Sequence, residues 1–148
     1  MGIILLYGNA TGYPLYINLL ILASIRMYTV HVICTVNLTV KYLTKKWTLL
    51  IILELYKGKE YTRRFSELKD SLADITPKIL SERLKELEEE GIVTKKVDVS
   101  SFPVRCDYTL TESGIDLVNV IRDIKRWALK WKIDNIPCGE QDCRTCVL

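Results

Sequence analysis

The sequence predicts a mainly α-helical domain with one β-hairpin, an α+β fold, on three observations. Thr76-Pro77 opens a helix with a leucine stripe, and after Gly91 the apolar period changes from helical to two. A last helical stripe, from Leu117 to Trp131, is wider than a small domain needs to cover itself, which calls for a dimer partner. The 148 residues suffice for one domain with extensions. Apolar residues at 49% and charged ones at 26% exclude a disordered or collagen-like chain.

Charge is unevenly distributed. Residues 1–40 hold one charged side chain, Arg26, so all the others crowd into the rest of the chain. The net charge of +3 argues against a generally basic nucleic-acid coat, and any DNA contact needs locally clustered Lys and Arg. His31 is the only histidine, which excludes multi-His metal sites. Its neighbours Val30, Val32 and Ile33 make it a packed side chain. Without a Gly-rich phosphate loop or a nucleophile-elbow serine, the chain does not read as an enzyme.

Three segments follow: an apolar extension, 1–33; a domain, 34–131; and a cysteine-containing tail, 132–148. The strongest apolar run of the extension, Pro14–Ile25, is shorter than the roughly 20 residues of a spanning helix. No positive n-region marks a signal peptide. A membrane role is therefore disfavoured, leaving a dimerisation segment or sequence upstream of a natural start at Met27.

In the domain, Val36, Val40 and Leu43 define a first helix over Val36–Lys45. Trp47–Tyr56 is apolar nearly all round, a central buried helix ended by Gly58. A short extended piece, Tyr61–Phe65, leads to Ser66, the expected N-cap of a helix Glu67–Leu72. Thr76 caps the next helix, Pro77–Glu90, because proline at the first helical position needs no amide donor. Leu80, Leu84 and Leu87 face the core, and Gly91 stops the helix. These two helices have the spacing of a helix-turn-helix. Val93–Val99 and Arg105–Leu110 alternate as strands of a hairpin, with Cys106 turned toward the core, and Thr111 caps the last helix.

Five stretches carry a family resemblance: Cys34-Thr-Val, Lys46-Trp-Thr-Leu-Leu-Ile, Arg64-Phe-Ser-Glu-Leu, Ile75 to Gly91, and Pro103 to Gly114. In this order they resemble HxlR-type transcriptional regulators, dimeric winged helix-turn-helix proteins related in architecture to MarR regulators. Thr35 stands where the family often has proline, and Cys106 at a usually aliphatic position. The resemblance implies a homodimer, through its first and last helices, on a palindromic operator in double-stranded DNA. It also implies a repressor in the cytoplasm.

A helix-turn-helix places the Thr76–Gly91 helix in the major groove, with the hairpin as a wing toward the minor groove or backbone. Candidate contacts are Thr76, Lys78, Ser81, Glu82, Arg83 and Lys85 on the helix, Lys95, Lys96 and Arg105 on the wing, and Arg63 and Arg64 for phosphate. Glu88, Glu89 and Glu90 repel phosphate, so DNA meets the helix's N-terminal half. The alternative is a winged-helix protein-interaction module, separable because only phosphate neutralisation makes affinity fall steeply with salt.

Five cysteines without a disulfide framework suit reduced thiols. Cys34 begins the first helix, where the dipole favours thiolate. Some relatives sense oxidants or electrophiles at this place; the other reading is an unreactive, partly buried thiol. Cys138, Cys143 and Cys146 have a Cys-x4-Cys-x2-Cys spacing, three of the four ligands of a plant-type iron–sulfur pattern and tolerable for zinc. The competing reading, a mobile tail, requires no cofactor.

Overall fold

The computed structural model describes residues 34–100, 102 and 104–146. The expectations for the apolar extension, His31 and Met27 lie outside the described residues. In chain order the elements are α1 (Thr35–Leu43), α2 (Thr48–Lys57), a 3-10 turn (Lys59–Tyr61), β1 (Thr62–Arg64), α3 (Phe65–Ser71), α4 (Pro77–Glu89), β2 (Val93–Asp98), β3 (Arg105–Leu110), α5 (Glu112–Trp131) and α6 (Ile136–Glu140). Among the described residues no helix is long and apolar enough to cross a membrane.

Helix α2 is the hub of the core. Its Ile51, Ile52 and Leu55 are fully buried, together with Leu68 of α3, Leu80, Leu84 and Leu87 of α4, and Val118 of α5. Each of these residues lies on its helix's apolar face, so one cluster fixes the mutual positions of α2 to α5. The sheet is antiparallel in the order β1-β3-β2, pairing Thr62 with Thr109 and Val93 with Leu110. The expected hairpin thus gains a third strand from the extended piece ahead of α3.

Several local expectations change. Helix α3 starts at Phe65 rather than after Ser66, because the Glu67 carboxylate accepts the Arg64 backbone N–H at 2.9 Å. Gly58 ends α2 as expected, with φ −64°, and glycine is needed there because a Cβ would overlap the Thr62 carbonyl. Gly91 does take φ +69°, the left-handed conformation that ends α4. On α5, Val118 is buried, whereas Val120, Ile124, Trp127 and Trp131 are about half exposed or more. The alternation expected of Val93–Val99 holds only at its start, since Val97 and Val99 are exposed where β2 leaves the body.

The tail is also organised. Beyond α6, Lys125 Nζ donates to the Gln141 carbonyl at 2.6 Å, and Arg122 Nη2 reaches Asp142 at 3.3 Å. The Arg144 guanidinium lies 5.8 Å and 5.3 Å from the ring centres of Tyr56 and Tyr61. These contacts link the segment to α5, to the end of α2 and to the 3-10 turn after it.

Candidate nucleic-acid interface

Helix α4 begins as its sequence requires, with Thr76 Oγ1 accepting the Ile79 N–H at 3.3 Å and Pro77 in the first turn. Burial of Leu80, Leu84 and Leu87 turns the opposite face outward, and Lys78, Ser81, Glu82 and Lys85 are all exposed there. Lys85 forms only an exposed pair with Glu89, at 3.6 Å. Such a pair contributes little and exchanges readily for a phosphate.

Arg83 departs from this row. Its guanidinium is largely covered and pairs with Glu86, which also takes Lys45 at 2.7 Å from the turn after α1. The hydrogen bond from Lys45 is the main cause holding the Glu86 carboxyl below its ordinary value, with Arg83 adding to it. Glu86 is therefore the bracket between α4 and the α1–α2 turn, and Arg83, its partner on the same helix, drops out of the exposed set.

Arg63 and Arg64 diverge because successive strand residues point to opposite sides. Arg63 turns inward: its Nε donates to the Glu54 carbonyl at 2.7 Å, and its Nη2 lies 3.4 Å from the Glu54 carboxylate. That carboxylate is buried and is shared with Lys57 at 2.6 Å. Arg63 is thus engaged by Glu54, and the sequence signal for that role was a carboxylate inside an otherwise apolar helix, which demands nearby cations. Arg64 points outward, half exposed and 3.7 Å from Asp107.

On the wing, Lys95, Lys96 and Arg105 are exposed. Lys95 Nζ lies 5.9 Å from the Tyr108 ring centre, and burial pushes the Tyr108 hydroxyl above its ordinary pKa. A cleft of about 690 Å³ runs between the wing and the helices, lined by Arg64 and Ser66, by Ser81 of α4, and by Arg105, Cys106 and Tyr108 of β3. The open face of α4, Arg64 and the wing therefore border one groove.

The cysteines fall into three settings. Cys34 is exposed at the N-cap of α1, which removes the partly buried reading, while Cys106 is half-buried against the core. Cys138 sits in α6, its N–H bonded to the Asn135 side chain, whereas Cys143 and Cys146 lie around a turn capped by Asp142. Among the described residues no group of three or more Cys, His, Asp or Glu side chains converges as metal ligands do.

Residues 42–135 match the HxlR-like helix-turn-helix family. The chain belongs to that family. Among HxlR-like relatives it is 41% identical over 92 residues to the HTH-type transcriptional regulator YvaP of Bacillus subtilis (strain 168), covering 62% of this chain and 82% of YvaP. The solved reduced form of the transcriptional regulator YodB from B. subtilis is 36% identical, with a TM-score of 0.60 over 70% of this chain and 98% of YodB. The redox regulator HypR in its oxidized form is 29% identical, with a TM-score of 0.58 over 68% of this chain and 99% of HypR. This HxlR-like chain is a DNA-binding transcriptional regulator, and its fold is the winged helix of these regulators.

Proposed function

We propose that the protein is a thiol-responsive repressor in the cytoplasm that binds a palindromic operator as a homodimer. The observation that carries the DNA contact is the exposed row Lys78, Ser81, Glu82 and Lys85, opposite a fully buried leucine stripe and bordering the same groove as Arg64 and Arg105. In the major groove this row meets base edges, while Thr76, Arg64 and the wing cations Lys95, Lys96 and Arg105 meet phosphates.

The dimer rests on a second observation. Helices α1 and α5 leave an apolar cavity of about 410 Å³ between them, lined by Val36, Val40, Leu43, Val120 and Ile124 among others. A second copy packing α1 and α5 against this face would cover it and space two α4 helices across a two-fold axis. Cys34 is exposed at the edge of that face, next to Thr35. The likeness to YodB and to the redox regulator HypR supports a thiol response there. No cofactor enters this reading.

The test is a mobility-shift titration against the gene's own upstream DNA at several salt concentrations, with and without reductant. The proposal expects affinity that falls steeply with salt and changes on oxidation in wild type but not in Cys34→Ser. Binding insensitive to salt would favour a protein-interaction module instead. Identical oxidation responses in wild type and Cys34→Ser would remove Cys34 as the sensor.

A further inference from the structure

The wing carries a feature that the cationic contacts leave unexplained. The strand register places Val93 opposite Leu110, Lys95 opposite Tyr108 and Val97 opposite Cys106, all on one face of the sheet. Val99 and Val104 extend these rows beyond the last pair. Burial fades along this column, from the enclosed Val93 and Leu110 to Val97 at 48% exposed and Val99 at 79%. It ends at Phe102, whose side chain is fully exposed. Between Lys96 and Arg105 there is no Lys or Arg, so beyond the last strand pair, Asp98 with Arg105, the tip carries no cation.

The one acid near the tip, opposite Arg105 in the last strand pair, is already engaged. Asp98 accepts the Ser100 backbone N–H at 2.9 Å and the Ser100 hydroxyl at 2.6 Å, and that hydroxyl is the first cause of its lowered pKa. These bonds fasten the start of the turn and satisfy the acid that would otherwise repel a phosphate. The Phe102 side chain stays in water. The wall of the groove shared with Ser81 of α4 includes Val104 and Cys106, so the column is continuous with the DNA-binding face.

We propose that the wing tip is an apolar wedge, and that Phe102 enters the minor groove beside the site read by α4, packing on deoxyribose and a base step. The proposal rests on the DNA-binding reading of α4. Minor-groove proteins use Phe, Leu or Pro in this way, unstacking a step and bending the duplex so that more protein surface touches it. Because pyrimidine–purine steps unstack most easily, Phe102 would confer sequence preference without a hydrogen bond to any base. The cations Lys95, Lys96 and Arg105 would flank the entry on the two backbones.

The experiment uses the full chain and a duplex selected by it from a randomised library. Phe102→Ala should weaken binding by about tenfold or more, the cost of one mismatched base pair or greater, while leaving the salt slope unchanged, because no phosphate contact is lost. Lys96→Ala should instead lower the slope. Phe102→Leu should retain most of the affinity, and 2-aminopurine at the contacted step should brighten with wild type but not with Phe102→Ala. Wild-type affinity in Phe102→Ala, with binding still abolished by changes on α4, would overturn the wedge and leave the DNA reading standing. Failure of the wild type to select any duplex would overturn both. A change in oligomeric state of Phe102→Ala by light scattering would assign the tip to a second copy and overturn the proposal.

Discussion

Replacing Arg63 separates folding from DNA binding at two adjacent arginines. The Arg63 guanidinium donates to the Glu54 carbonyl at 2.7 Å and stands 3.4 Å from the buried Glu54 carboxylate. A charged hydrogen bond of this kind contributes roughly 1.5–3 kcal/mol. Lys57 remains on the carboxylate at 2.6 Å in an Arg63→Ala variant, so the loss stays below the roughly 3–5 kcal/mol of a fully orphaned buried charge. Arg63→Ala should therefore lower the unfolding free energy by about 2–3 kcal/mol. Urea unfolding followed by tryptophan fluorescence measures this, at one fixed protein concentration because dimerisation would add to the apparent stability. Arg64→Ala should behave oppositely, with stability within about 0.5 kcal/mol of wild type and a salt slope reduced by about one phosphate. A double-mutant cycle of Arg63→Ala with Glu54→Gln should show coupling, since each side chain loses its partner in the other's absence. The reasoning is refuted if Arg63→Ala unfolds like wild type while its DNA affinity and salt slope fall.

Three further outcomes test other parts of the structure. Gly114→Ala would gain up to about 1 kcal/mol from helix propensity, but a Cβ there overlaps the Ile92 carbonyl and sits 3.1 Å from Leu110 Cδ2. Overpacking costs about 1–3 kcal/mol, so the melting temperature should drop, and a rise would show that the α5 start is looser than described. Glu86 has its pKa lowered, first by Lys45, so its contribution is complete above the ordinary value of 4.5 and is lost as pH falls through the lower folded value. Stability of wild type relative to Glu86→Gln should accordingly narrow only in acid, below about pH 4.5, and a constant difference from pH 7 to pH 3 would contradict the bracket. Lys78→Ala should weaken operator binding by about 1–3 kcal/mol if the side chain reads a base and leave urea unfolding unchanged; equal affinity would move recognition off the N-terminal half of α4.

What the sequence disclosed and what it withheld divide along the range of the interactions. Helix α4 was legible nearly to its ends because each determinant is local: the Thr76 cap, Pro77, the leucine spacing and the left-handed Gly91 all lie within one segment. The exposed row on α4 followed from the same periodicity. Strand alternation puts Arg63 and Arg64 on opposite sides, but a strand of three residues does not by itself show which side faces inward. Their opposite fates depend on Glu54 nine residues earlier and on Asp107 in β3. The same applies to Arg83, whose commitment to Glu86 is reinforced by Lys45 from another element, and to the tail, which is held by Arg144 over rings at the end of α2 and beyond it. A carboxylate in an apolar helix was the one visible sign of such partners, because burying it alone is too costly to occur. Charged residues near a DNA-binding helix therefore sort into contacts and brackets only after neighbouring acids have claimed their cations: the buried Glu54 claims Arg63 and the partly exposed Glu86 claims Arg83, leaving Arg64, Lys78 and Lys85 outward.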